Sequence, residues 1–161
     1  MIFGRRAAGA GTRTRREGCG ERMDVAYPAA ELGRRGEDVA AAFVCRKGWR
    51  ILERNWRYRH LELDMVALDG LELVFVEVKT RTAGGIGSPA EALTPAKRAH
   101  VCRAAQAWLS AHDAWDRPCR FDVLCLVHDG TTFNVEHMPD AFRFSDGRRA
   151  VDRRNAAWQP W

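Results

Sequence analysis

Between two runs of strand-forming residues, 61–68 and 71–81, stand only Asp69 and Gly70. A two-residue Asp-Gly connection of this kind is among the strongest local signals for a β-hairpin, because its loop positions need backbone angles that Gly reaches freely and Asp tolerates. Side chains alternate between faces with period two, so a fixed turn assigns every residue of both strands to one face or the other. With Asp69 and Gly70 as the loop, Leu68 pairs with Leu71, Glu62 faces Glu77 and Asp64 faces Phe75. Asp64 and Glu77 then share a face as diagonal neighbours, their Cβ atoms about 7 Å apart. Lys79 lies on that face too.

The opposite face collects Leu61, Leu63, Met65, Ala67, Val74, Val76 and Val78 and must be buried. The face of Asp64 and Glu77 changes character along its length: Val66, Leu68, Leu71, Leu73 and Phe75 lie near the turn, and Glu62, Asp64, Glu77, Lys79 and Arg81 lie away from it. Carboxylates at the edge of an apolar layer repel each other and lose hydration unless positive charge sits between them. A divalent cation meets that need, since Mg²⁺ prefers hard oxygen ligands at about 2.1 Å and often takes only one or two protein carboxylates beside water and phosphate. The pattern therefore points to Mg²⁺, or Mn²⁺, held by Asp64 and Glu77. Lys79 would act on a metal-activated water or on the charge of an attacked phosphate. An isolated Glu-x-Lys is more commonly a surface ion pair contributing about 0–1 kcal/mol. That bland reading must also explain Asp64 on the same face and the apolar half beside it.

The rest of the chain fits one domain around this hairpin. Residues 1–28, rich in Gly, Ala and Arg without helical or strand period, read as a disordered basic leader. Met23, just before the first patterned segment, reads as an alternative start, which the mass of the native N-terminus would test. Apolar residues at helical spacing from Glu31 to Lys47 predict an amphipathic first helix stopped by Gly48, with Glu37 at the edge of its apolar stripe near Val44. A partly exposed strand follows over 49–57. Gly84, Gly85, Gly87 and Pro89 mark a loop. Thr94 as N-cap and Pro95 at the first helical position then open a second helix to about Ala111, with Val101, Ala105, Trp108 and Leu109 as its core stripe. Residues 121–127 read as a strand covered on both faces, and a short strand around 132–136 ends the domain. The predicted class is α/β, in the order αβββαβ with a last β. The domain spans 29–143, and 144–161 form a basic tail in which Trp158 and Trp161 dock back on the body or stack on bases.

A net charge of +5 and five cysteines without a Cys-x-x-Cys pair favour a polyanionic partner and a reduced, cytoplasmic setting. No run of about 18 apolar residues exists, so no membrane span is expected. Lys97, Arg98 and Arg103 load the start of the second helix with positive charge and, with Arg81, are the candidate contacts to a nucleic-acid backbone.

These residues resemble a known family. Gly36-Glu37, Glu62-Leu63-Asp64, the string Val74-Phe75-Val76-Glu77-Val78-Lys79-Thr80-Arg81, Gly87-Ser88-Pro89 with Glu91-Ala92, Lys97, and Arg120-Phe121-Asp122-Val123 look like the YraN family of uncharacterised bacterial proteins, from about Glu31 to Phe142. That family is similar in turn to the PD-(D/E)XK nucleases, which include Holliday-junction resolvases. The resemblance implies a restriction endonuclease-like core, a mixed central sheet flanked by helices, with Asp64, Glu77 and Lys79 at the metal-binding and catalytic positions. It also implies that Glu37 matches the helix glutamate assisting metal or water. Leu61 departs from the family's usual Gly before Glu-x-Asp. The expected function is Mg²⁺-dependent hydrolysis of DNA, on branched or flapped forms. The alternatives are a nucleic-acid-binding module that keeps the fold without turnover, and a protein-interaction role for the basic arms. Resolvase-like relatives suggest a homodimer, though no interface stripe in the sequence demands one.

Overall fold

The computed structural model describes residues 27–84 and 93–144. All of the predicted leader but Tyr27 and Pro28, most of the glycine-rich loop and the basic tail with Trp158 and Trp161 lie outside those residues. The chain runs α1 (Ala29–Arg46), β1 (Arg50–Tyr58), β2 (Leu61–Asp69), β3 (Glu72–Thr82), α2 (Pro95–Ala111), β4 (Cys119–His128) and β5 (Phe133–Phe142). This is the α/β order read from the sequence. The five strands form one mixed sheet in the order β1-β2-β3-β4-β5, with β3 and β4 parallel and every other neighbour pair antiparallel. A parallel neighbour needs a crossover connection, and α2 lies on the one that joins β3 to β4.

Each helix covers one face. Val101, Ala105, Trp108 and Leu109 of α2 pack with Phe75, Phe121 and Val123, whereas Ala40, Ala41 and Val44 of α1 pack with Val74, Val76, Val78, Leu124 and Leu126. The central strands β3 and β4 are thus apolar on both sides, as parallel strands buried between helices must be. The start of α2 follows its local signals: the Thr94 side chain accepts the Lys97 N–H at 3.2 Å, with Pro95 at the first helical position. β5 extends well beyond the predicted 132–136 and includes Pro139, which an edge strand tolerates because it has a side free of ladder bonds. α1 comes so close to β3 at Gly36 that an added Cβ would lie 1.9 Å from Thr80 Oγ1.

The hairpin itself corrects two expectations. Its closing pair is Asp69↔Glu72, so the two loop residues are Gly70 and Leu71 and the partners are Leu68↔Leu73 and Val66↔Phe75. Gly70 alone of the loop pair has a positive φ, 61°, which suits Gly in the first position of a type II′ turn, and Leu71 is left 83% exposed. Two carboxylates directly across a ladder repel, but Arg120 on β4 donates to both Asp69 and Glu72 and holds them opposite each other.

The second correction concerns faces. Leu61 and Leu63 belong to the α2 side, whereas Met65 and Ala67 belong to the α1 side, so alternation along β2 breaks at Asp64. Across the ladder, between the pairs Arg54↔Met65 and Trp56↔Leu63, stands Asn55 with a φ of 52°, a left-handed conformation uncommon inside a strand.

Candidate metal-carboxylate site

The break in β2 is where the predicted site residues meet. The β2–β3 ladder runs from Asp69↔Glu72 to Met65↔Val76, and its continuation sets Asp64 across from Glu77. There the side chain enters the pairing: Asp64 Oδ2 accepts the Val78 N–H at 2.8 Å. Asp64 and Glu77 are therefore closer to direct opposition than the diagonal placement expected from the sequence. Glu77 follows Leu73 and Phe75 on the α2 side of β3 and is only 2% exposed.

Two lysines converge on one oxygen of that buried glutamate. Lys79 Nζ lies 2.6 Å from Glu77 Oε1, and Lys97 Nζ lies 2.9 Å from the same atom. Lys79 comes from the same strand two residues on; Lys97 comes from the first turn of α2, placed by the Thr94 cap. Lys97, expected only as a backbone contact to nucleic acid, is thus part of the carboxylate cluster. The crossover explains this, because it returns α2 over the face of β3 that carries Glu77.

The electrostatics follow from burial and spacing. Burial, then the neighbouring Glu77, push the Asp64 carboxyl up to about 6, against the opposing pull of the Val78 N–H, Lys97 and Lys79. Burial works against the Lys97 ammonium, but Glu77, joined by Asp64 and Glu62, outweighs it and holds Lys97 above the usual lysine range. His100 is lowered by burial and by the positive charge of Lys97 and Arg103, with His60 adding to the effect.

Other candidates lie further out. Glu37 Oε2 accepts from Asn55 Nδ2 at 3.0 Å. Its direct partner is the left-handed residue at the β1 break, so Glu37 steadies the kink beside Asp64. Glu62, expected opposite Glu77, pairs instead with Arg57 at 2.9 Å and is half-exposed. Arg98 Nε donates to the Leu93 carbonyl at 3.1 Å, tying α2 to the chain just before it. Arg103 is exposed and Arg81 partly buried.

Asp122 heads a separate network on the α1 side. It is wholly buried and accepts from Arg120 Nε at 3.1 Å, from His137 Nε2 at 2.8 Å and from the Asp140 N–H at 3.0 Å. Lys47 Nζ sits 3.2 Å from His137 Nδ1. An ammonium only donates, so Nδ1 accepts and the ring proton lies on Nε2, facing Asp122.

The donor chemistry at Asp64 and Glu77 fits a hard divalent cation. Both offer carboxylate oxygens, and the raised Asp64 carboxyl marks a place where added positive charge is favourable. Among the described residues no three His, Cys, Asp or Glu side chains gather closely enough to hold a metal together. Asp64 and Glu77 are a pair, the number of protein carboxylates that Mg²⁺ often takes.

Residues 36–126, which include Asp64, Glu77, Lys79 and Lys97, match the model of the uncharacterised protein family UPF0102. The chain belongs to the UPF0102 family. A UPF0102 protein of Nitratidesulfovibrio vulgaris (strain DP4) is 51% identical over 129 residues, covering 80% of this chain and 94% of that one. A UPF0102 protein of Lawsonia intracellularis is 44% identical over 133 residues, covering 83% and 98%, and one of Chlorobium phaeobacteroides is 47% identical over 118 residues, covering 70% and 94%. This UPF0102 chain has no helix among its described residues long and apolar enough to cross a membrane.

Proposed function

We propose that this chain is a metal-dependent phosphodiesterase of the PD-(D/E)XK type that acts on DNA in the cytoplasm. The observation that carries the reading is the meeting of Asp64, Glu77, Lys79 and Lys97 where β2 and β3 part. Bound Mg²⁺ or Mn²⁺ would supply a Lewis acid for a phosphate oxygen and a more acidic water. Asp64 and Glu77 are the residues that would hold it. Their setting under α2 keeps them largely out of bulk water, which strengthens every charge interaction at the site. Lys79 and Lys97 bring two positive charges to the point where negative charge grows on phosphorus oxygens. Water adds to phosphorus, the bridging P–O bond breaks, and the departing oxygen takes a proton. Arg81, Arg98 and Arg103 flank this point as backbone contacts, and Glu37 acts through Asn55 on the shape of the break.

A second reading has its own observation. Lys79 and Lys97 already neutralise Glu77, so the buried glutamate is satisfied within the protein. That suits a nucleic-acid-binding module without turnover. Calorimetric titration of Mn²⁺ into wild type and Asp64→Ala, followed by incubation with linear, flapped and four-way DNA, separates the two. The nuclease reading expects a Mn²⁺ isotherm that Asp64→Ala abolishes, and cleavage that Lys79→Ala slows by about 10²–10³-fold. Intact DNA in every lane, with salt-sensitive DNA binding retained by Asp64→Ala, would establish the module instead.

A further inference from the structure

The β1–β2 connection, on the same side of the sheet as Glu77, carries an aromatic surface that the carboxylate site does not use. Trp56 and Tyr58 stack with ring centres 6.2 Å apart and planes 21° from parallel. Trp56 is anchored against the α2-side core, whereas Tyr58 is 50% exposed. The exposed Arg59 guanidinium lies over the Tyr58 ring, 5.3 Å from its centre, where an incoming base would take its place or share the ring with it. Tyr58 pairs with Leu61, so Arg59 and His60 form a two-residue turn. Arg59 holds a φ of 55° there, a position that Gly or Asn occupies at lower cost. The chain thus places a large cation where a small residue would fit more easily. From this turn a line of cationic and titratable groups leads back to the carboxylates. The His60 and His100 rings are 6.3 Å apart on facing elements, and Lys97, one turn before His100 on α2, touches Glu77.

We infer that Tyr58, backed by Trp56, is a stacking subsite for an unpaired base of a single-stranded nucleic acid whose backbone follows Arg59, His60, His100 and Lys97 to the carboxylate pair. Every base has a π-face that an exposed ring can meet, and a track of guanidinium, ammonium and imidazole N–H donors beside such a ring recognises the sugar-phosphate chain without regard to sequence. A duplex keeps its bases stacked on one another and offers Tyr58 no face. The subsite therefore favours strands that are single or frayed next to the site. The inference rests on the nuclease reading for where the scissile phosphate lies, but not for whether the ring binds a base.

Fluorescence anisotropy with EDTA present tests it without metal or turnover, using labelled oligodeoxythymidylate, oligouridylate and a blunt DNA duplex of equal length. Tyr58→Ala is expected to weaken single-strand binding by roughly fivefold to a hundredfold and to leave the duplex within about twofold, while Tyr58→Phe binds like wild type. Quenching of a 2-aminopurine base in the single strand should fall in Tyr58→Ala and persist in Tyr58→Phe. The two single strands distinguish DNA from RNA as the source of the base. Equal single-strand affinity in wild type and Tyr58→Ala, or equal losses on single strand and duplex, would overturn the subsite. Mn²⁺ calorimetry on the same proteins keeps the two ideas apart. A wild type that binds no Mn²⁺ but shows the Tyr58-dependent preference removes the nuclease reading and retains the stacking site.

Discussion

The sheet carries a wholly buried aspartate at one end and a partly buried one at the other, and the two ends treat them in opposite ways. Asp122 is surrounded by donors: Arg120, His137 and the Asp140 N–H all point at it, and Arg120 is itself shared with Asp69 and Glu72. Those three carboxylates hold the Arg120 guanidinium above the usual arginine range, although burial opposes them. Asp64 has one hydrogen-bond donor among the described residues, the Val78 N–H, and a second carboxylate, Glu77, beside it. A saturated buried charge fixes architecture: Arg120 closes the hairpin and pins it to β4. An under-compensated one leaves a site that gains when positive charge arrives. The difference between the ends separates a structural ion network from a candidate reactive centre with no appeal to residue type, since both are aspartates on interior strands of the sheet.

The comparison breaks most visibly at the saturated end. Asp122→Ala leaves His137 facing an apolar side chain and strips Arg120 of one partner, so a loss of about 3–5 kcal/mol is expected, as for other buried pairs deprived of one member. Urea denaturation measures it, and Mn²⁺ binding of the folded variant should match wild type. A loss below about 1 kcal/mol, the range of surface pairs, would mean that Asp122 is not the architectural charge inferred here.

At the other end the sign reverses. With its carboxyl raised from 3.8 to about 6, ionised Asp64 costs the metal-free fold about 3 kcal/mol above pH 6. Asp64→Asn keeps an oxygen for the Val78 N–H and removes the charge, so the variant should be more stable than wild type at pH 8 by up to that amount. Between about pH 6 and 3.8 the folded carboxyl is protonated while the unfolded one is still ionised. Wild type recovers stability through that window, and the advantage of Asn should vanish near pH 4. Thermal melts at pH 8, 6 and 4 in EDTA check this; an Asn variant less stable than wild type at pH 8 would show that Asp64 is as well compensated as Asp122.

The sequence made one end more legible than the other for physical reasons. Strand alternation places Asp64, Glu77 and Lys79 together even though the turn was misplaced by one residue. Moving the loop from Asp69-Gly70 to Gly70-Leu71 changes each pairing sum by two and so preserves which residues share a face. Choosing between those loops is beyond local sequence, because Asp-Gly and Gly-Leu both suit hairpins and the Arg120 that bridges the closing pair Asp69 and Glu72 comes from β4. The break at Asp64 lies across the ladder from the left-handed Asn55. Its one local sign is an Asn inside a strand, a residue that tolerates positive φ. Lys97 joined the site for a reason that is likewise non-local: the crossover brings the first turn of α2 over Glu77. α2 itself was readable to the residue, since Thr94 and Pro95 act within a single turn.

The smallest expected effect sharpens the comparison from outside both ends. Glu62 is two residues from Asp64, carries the same charge as Glu77, and by the register expected from sequence would have faced it. In the structure it pairs with Arg57, with 42% of its side chain exposed, and reaches the cluster only as a minor contributor to the Lys97 shift. Solvent screens such a pair, and holding two long side chains together costs entropy, so Glu62→Ala should change stability by less than about 1 kcal/mol. It should also leave Mn²⁺ affinity within about threefold of wild type, since a charge at the surface is weakened by the water around it. Calorimetry and melts on Glu62→Ala beside Asp64→Ala then compare near neighbours on one strand. If both lose the metal, nearness in sequence matters and burial does not; if only Asp64→Ala does, the break in β2 is what turns an ordinary carboxylate into a site.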